Sequence, residues 1–177
     1  MIGTGTAIDS ARLQNMIAQT VNVDPRSVHA YSMGEHGDSQ MVPWSTVTIA
    51  GKPFYDVIAD NKELVGDVDL DELVYRTTQE GWEIFNRKGT TYYGIATACV
   101  GVIKAILNDE NRIIPVSTLL EGEYGERDVY AGVPTVLNRS GAYDVLEIHM
   151  TLGELARFKE STRVIREYTD RIMKLNL

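Results

Sequence analysis

A chain of 177 residues with 44% hydrophobic and 24% charged residues has the balance of an ordinary globular domain, large enough to bury roughly two thirds of its unfolded surface without a disulfide staple. Its net charge of −8 argues against nucleic acid and anionic membranes as partners, because both repel an acidic surface. One cysteine forms no internal disulfide and fits a reducing cytoplasm, and neither a charged-then-apolar leader nor an apolar run of membrane length is read.

After "MIGTGT", Leu13, Met16, Ile17 and Val21 recur at helical spacing, with Asp9 or Ser10 as the expected cap. "DPR" at 24–26 ends that pattern. "SVHAYSM" reads as a short strand entering the turn "GEHGD", and "WSTVTIAGKPF" as strand then turn. Helical spacing returns from about Asp69 to Arg87 through Leu70, Leu73, Val74, Thr77 and Trp82. "KGTTYYG" interrupts it, and a strongly apolar helix follows to about Leu107. Cys99 lies within that helix and is expected to be a buried structural thiol.

Three strands are then expected, "RIIPVSTLL", "DVYAGVPTVLNR" and "AYDVLEIHM", with "NRSG" turning between the last two. Thr151 and Glu154 form a capping-box pattern at the head of a final helix. Its stripe of Leu155, Phe158, Ile165, Tyr168 and Ile172 belongs to the core or to a subunit interface. No repeat or linker is evident, so one domain over 1–177 is expected. Long helices surround antiparallel hairpins, and helices do not alternate regularly with buried parallel strands. The expected fold class is therefore α+β, with long helices packed on twisted antiparallel sheet.

The chemistry of interest lies in two short stretches. Asp9 and Arg12 in "IDSAR" share one helix face, and "GEHGDSQ" exposes His36 on a glycine turn. An intrahelical ion pair and a surface histidine account for these residues as well as a site does. As a set, however, they also admit a chemical reading. A carboxylate can fix a histidine tautomer and favour the protonated ring. An arginine fork grips a substrate carboxylate through two hydrogen bonds, while histidine exchanges a proton with a hydroxyl. Those parts suit oxidation of a 2-hydroxy acid.

"IGTGTAIDSAR", "VHAYSMGEHGDS" and "KGTTYYGIATA" resemble consecutive signature stretches of the L-lactate/malate dehydrogenase family. The likeness continues through "KAILNDENRIIPVS" and "DVYAGVPTVLNRSG" to the final helix, so it covers nearly the whole chain, as the C-terminal, substrate-binding half. The resemblance implies that His36 is the acid/base, Asp9 its partner and Arg12 the clamp on the substrate carboxylate. It also implies that Thr91 lines the pocket around the substrate side chain and Ile95 packs on the nicotinamide. Thr4, where serine is usual, would stand beside the cofactor carboxamide. NAD, bound mainly by the other half of the enzyme, a small 2-oxo or 2-hydroxy acid, and a homo-oligomer of two or four subunits follow from the same likeness. Metal, nucleic acid and membrane do not.

Three departures shape the expectations. No G-x-G-x-x-G follows a strand in this sequence, so the N-terminal NAD-binding domain is expected to be absent. The chain then reads as an excised domain, a truncated product or a natural fragment, with little activity alone. His29 matches a histidine used for fructose 1,6-bisphosphate activation in many bacterial relatives, but Gln14 stands where the arginine is expected. A neutral amide is no phosphate clamp, so that activation is not expected, and His29 is either a strand histidine at an interface or a ligand. His149 matches no motif and is structural or exposed. Pyruvate and lactate are favoured over the malate and L-2-hydroxyisocaproate pairs, and a non-catalytic oligomerising module is the reading from another class.

Overall fold

In the computed structural model, which describes residues 1–175, helix α1 (Ala7–Val21) buries Leu13, Met16, Ile17 and Ala18 on one face. The expected cap is not used. Thr6 holds the cap position without a side-chain bond, and Asp9 and Ser10 lie inside the helix. Both are 2% exposed and spent on distant partners. Ser10 Oγ accepts the Ser32 N–H at 2.9 Å, and the Gln14 amide donates to the Ala30 carbonyl at 3.0 Å.

Those two bonds explain why the strand expected over 27–33 is short. Side chains of α1 satisfy its backbone where a neighbouring strand would, so only β1 (Val28–His29) joins a ladder. It pairs antiparallel with β2 (Thr48–Ile49), which pairs with β3 (Lys52–Pro53). Beyond β3 the sequence reading stopped at a turn, yet α2 (Phe54–Asp60) and α3 (Lys62–Val65) follow. Phe54, 1% exposed, anchors them by stacking on Trp44 with ring centroids 5.8 Å apart.

Helix α4 (Leu70–Lys88) is capped by Asp69, whose carboxylate accepts from the Asp71 and Glu72 N–H groups. Leu73 and Thr77 face the core. Trp82, read as part of that stripe, is instead 61% exposed. Helix α5 (Tyr92–Leu107) buries only Val102 and Ala105. Cys99 on it is half-buried, not the enclosed thiol expected. A helix this apolar with Tyr93, Val100, Ile103 and Leu107 exposed presents an unpartnered side.

The second sheet has the order β4–β5–β6, from β4 (Arg112–Glu121), β5 (Arg127–Asn138) and β6 (Gly141–Val145), all antiparallel. Pro115 faces Pro134 across β4 and β5, which is tolerated where opposed residues exchange no N–H bonds. The strand expected over 142–150 ends at Val145 because the following backbone serves Tyr124. The Tyr124 hydroxyl accepts the Ile148 N–H at 3.0 Å and donates to the Leu146 carbonyl at 3.3 Å, and burial pushes its pKa up to about 12.

Helix α6 (Leu152–Leu175) begins at the expected capping box: Glu154 accepts the Thr151 N–H at 2.8 Å, and Thr151 accepts the Glu154 N–H at 3.3 Å. Phe158 is fully buried against Leu120, Val129, Ala131 and Val133. Tyr168 and Ile172, further along the expected stripe, are 56% and 57% exposed. Val102 and Ala105 of α5 pack with Val116 and Leu137, while α1 joins β1, β2 and α2 in a separate core. The result is the α+β architecture expected. No helix among the described residues is long and apolar enough to cross a membrane.

Candidate active site

Helical geometry sets Asp9 and Arg12 side by side at the start of α1, where Arg12 Nη1 donates to Asp9 Oδ1 at 3.1 Å. The turn carrying His36 is built by longer-range contacts. Met33 and Met41 exchange backbone bonds of 2.8 and 3.0 Å, closing the loop at its base. Gly34 exchanges bonds of 2.9 and 2.8 Å with Gly132, pinning the loop to β5. Gly34 has φ +89, and a Cβ there would lie 2.3 Å from Ser161 Oγ. Only glycine meets both conditions.

The loop so fixed brings the His36 ring back to α1, with Nδ1 2.5 Å from Asp9 Oδ2. A carboxylate accepts, so Nδ1 carries the hydrogen, and Nε2 is the nitrogen left for another partner. The His36 pKa is raised above the ordinary histidine value, first by the hydrogen bond to Asp9, against partial burial, then by the charge of Asp9 against that of Arg12, with Glu35 adding to the rise. The Asp9 side chain is 3% exposed, that of Arg12 12% and that of His36 55%. A buried carboxylate thus holds a nearly buried guanidinium and a half-open imidazole together.

Asp9, Arg12, His36, Thr91 and Ile95 line one cleft of about 580 Å³. Thr91 stands at the N-terminus of α5, and Ile95 lies one turn in, half-buried like its neighbour in the cleft Ile8. Thr4 is not brought into this cleft; its carbonyl accepts the Ala7 N–H at 3.0 Å in the turn before α1. His29 lies apart, exposed on β1. The Gln14 amide is bound to the carbonyl of the next residue, Ala30. His149 is exposed.

Helix α4 supplies a wall of the cleft that no sequence motif marks. Thr78, Gly81, Trp82 and Phe85 all face the cleft, and Gln40 ties the turn to that wall. Its amide donates to Thr78 Oγ1 at 2.6 Å and its carbonyl accepts from Ser32 Oγ at 2.7 Å. One signal was available: glycine within a helix costs roughly 0.5–1 kcal/mol relative to alanine. A Cβ at Gly81 would come within 3.3 Å of Arg12 Nη1, so the bare position leaves room for the guanidinium. No three His, Cys, Asp or Glu side chains among the described residues are grouped to hold a metal ion.

An aspartate-held imidazole beside an arginine, in an open cleft of an α+β domain, is equipped to exchange a proton and to bind a carboxylate. Residues 6–175 match the family described as lactate/malate dehydrogenase, alpha/beta C-terminal domain, and the chain belongs to that family. It is 49% identical over 168 residues to L-lactate dehydrogenase 3 of Bacillus cereus, an alignment covering 95% of this chain and 53% of that protein. It is 44% identical over 173 residues to L-lactate dehydrogenase 1 of Bifidobacterium longum, covering 98% and 55%. The crystal structure of the minor L-lactate dehydrogenase from Enterococcus mundtii in its ligands-bound form superposes with a TM-score of 0.91 at 39% identity, covering 97% of this chain and 54% of that one. The chain therefore spans about half the length of the curated relatives it matches.

Proposed function

We propose that this chain is the substrate-binding half of a cytoplasmic, NAD-dependent L-2-hydroxy acid dehydrogenase that interconverts pyruvate and L-lactate. The observation that carries the proposal is the single buried carboxylate of Asp9, which contacts His36 and Arg12 at once within one cleft. The names of the three relatives above, each an L-lactate dehydrogenase, favour pyruvate over the oxaloacetate and 2-oxoisocaproate alternatives.

Arg12 gives one N–H to Asp9 and keeps others of its five donors for the substrate carboxylate. His36, with Nδ1 on Asp9, presents Nε2 to the substrate oxygen. In reduction the proton on Nε2 passes to the carbonyl oxygen as hydride reaches C2, leaving a hydroxyl and a neutral ring. In oxidation neutral Nε2 takes the hydroxyl proton as hydride leaves C2. Asp9 stabilises the charged ring in both directions. Thr91 borders the substrate side chain.

The residues present fit a nicotinamide ring, because Ile8 and Ile95 form an apolar wall in the cleft that also holds the proton donor. Ile95 would pack on the ring, and Thr4 would meet its carboxamide from outside this cleft. When bound, the cofactor supplies or accepts the hydride.

The test is a fusion of this chain behind the dinucleotide-binding half of a related L-lactate dehydrogenase, assayed by NADH oxidation. Pyruvate turning over faster than 2-oxoisocaproate and oxaloacetate, and a loss of turnover in His36→Ala, are expected. A His36→Ala fusion that works normally defeats the proposal. The unfused chain is expected to turn over little, since hydride transfer needs a closed, dry site.

A second reading, assembly without catalysis, is favoured by the exposed apolar side of α5, where Tyr93 is 67% and Leu107 71% exposed. Light scattering with an NADH titration separates the two. Homo-oligomers that bind no NADH even as the fusion support the assembly reading.

A further inference from the structure

Helix α6 reaches the turn that carries His36. Ser161 is fully buried, accepts the Glu35 N–H at 2.8 Å, and lies 3.2 Å from the Ser39 hydroxyl. The Glu35 carboxylate accepts from the Ser39 N–H at 3.0 Å and from the Ser39 hydroxyl at 2.5 Å. The direction of this ring of bonds is fixed at two points. A backbone N–H only donates, so Ser161 accepts from Glu35. A carboxylate only accepts, so Ser39 donates to Glu35. The hydrogen between the two hydroxyls is then that of Ser161, donated to Ser39. Residues on both sides of His36 are thereby tied to one hydroxyl that stands 126 positions along the chain from Glu35.

Contacts around this ring leave it little freedom. A Cβ at Gly34 would fall 2.3 Å from Ser161 Oγ, so the backbone is seated directly on that hydroxyl. About two turns earlier on α6, Glu154 accepts the Ser45 N–H at 2.8 Å and its hydroxyl at 2.6 Å. The helix thus grips this segment twice, but only the Ser161 grip bears on the turn. With the His36 side chain 55% exposed, packing alone does not hold the ring, and the backbone beneath it must.

We infer that Ser161, acting through Ser39 and Glu35, is a positioning residue for His36, holding the turn at the height where the imidazole meets Asp9. The same ring of bonds holds the Glu35 carboxylate in the cleft that the imidazole lines, where the charged groups are Asp9 and Arg12 from α1 and Glu35 and Asp38 from the turn.

This positioning role presupposes the acid/base reading of His36, but its test reads the imidazole and not turnover. The three histidine rings are titrated by NMR in the full chain and in Ser161→Ala, Ser39→Ala and Glu154→Gln. In Ser161→Ala and Ser39→Ala the ratio of protonated to neutral His36 at a fixed pH falls about threefold, the size of half a pH unit in midpoint, while His29 and His149 stay in place. Glu154→Gln, which breaks the other grip, lowers the melting temperature and leaves His36 unmoved. An unmoved His36 in both serine variants, or an equal displacement in Glu154→Gln, overturns the positioning role. If Ser161→Ala does not fold, Ser39→Ala decides alone. Because no substrate is involved, an inactive fusion would leave the titration result standing.

Discussion

Replacing Asp9 with asparagine separates, by pH, the two partners of that carboxylate. Asp9 is 2% exposed, with Arg12 3.1 Å from one oxygen and His36 2.5 Å from the other. The Arg12 side chain is 12% exposed, so the amide strands a mostly desolvated guanidinium. Removing one member of a buried pair costs about 3–5 kcal/mol. The asparagine carbonyl still accepts from a charged donor, returning about 1.5 kcal/mol, and α1 loses a favourable first-turn charge of about 0.5 kcal/mol. The expected deficit is about 2–4 kcal/mol. His36 adds a smaller part, because its half-open ring is screened by water. Its pKa is raised in the folded chain, so its contribution is complete below an ordinary histidine pKa of about 6.5 and is lost as pH rises through the folded value. Urea unfolding of both chains at about pH 5.5 and again at about pH 9 reads the difference. Groups that titrate alike in both chains cancel. The deficit is larger at the acid pH. Equal stabilities at both pH values, or a deficit that grows on the alkaline side, would refute the picture of one carboxylate shared by two cations.

Gly34→Ala is expected to cost about 2–4 kcal/mol, from a left-handed φ and from the methyl meeting Ser161; in thermal melts Ser161→Gly then costs less in the Gly34→Ala background than on its own. Phe158→Ala opens a cavity between α6 and the β4–β5 sheet and costs about 3–5 kcal/mol by denaturant titration. In the fusion, Arg12→Lys raises the KM for pyruvate about tenfold or more, because one ammonium does not reproduce a bidentate fork; an unchanged KM removes Arg12 from the carboxylate. Pyruvate reduction by the fusion falls as pH rises through the elevated His36 pKa, and lactate oxidation rises over the same range.

What could be read in advance divides along the range of the interactions. Helix α1 was legible because Leu13, Met16 and Ile17 repeat at its period, and the final capping box because Thr151 and Glu154 are three residues apart. The pairing of Asp9 with Arg12 is likewise a local consequence of helical spacing. Its second contact was not local: Asp9 lies inside the first turn, behind the cap position at Thr6, and its other oxygen meets His36, 27 residues away. The early end of β1 has the same origin, since Ser10 and Gln14 satisfy backbone 22 and 16 residues distant. Helices α2 and α3 escaped notice because a charged stretch with few core residues carries little periodic signal, and a single Phe54 supplies the anchor. Trp82 and Tyr168 misled in the other direction: each fits an apolar stripe, and each stripe runs past the edge of the core this chain provides.

The exposures around the cleft fit together. Asp9 and Arg12 have side chains 3% and 12% exposed, so α1, α4 and the turn already enclose the ion pair. His36 at 55%, Trp82 at 61% and Phe85 at 47% are the open side of the same cleft. Proton transfer needs a ring in the right tautomer at the right height; Asp9 bonds His36 Nδ1 and Ser161 holds the turn at Glu35, so the proposed role draws both from within this chain. Hydride transfer needs in addition that water be excluded from the reacting carbon, and two exposed aromatic rings beside a half-exposed imidazole do not exclude it. On the proposed function, the domain holds the proton-transfer groups in place, and exclusion of water is left to whatever covers that open side. On this division of labour the fusion partner acts on kcat chiefly by covering His36, Trp82 and Phe85. An indole-labelling reagent should reach Trp82 in the unfused chain and lose it in the fusion with NADH bound. Equal reactivity of Trp82 in the two, with the fusion active, would place the drying of the site elsewhere.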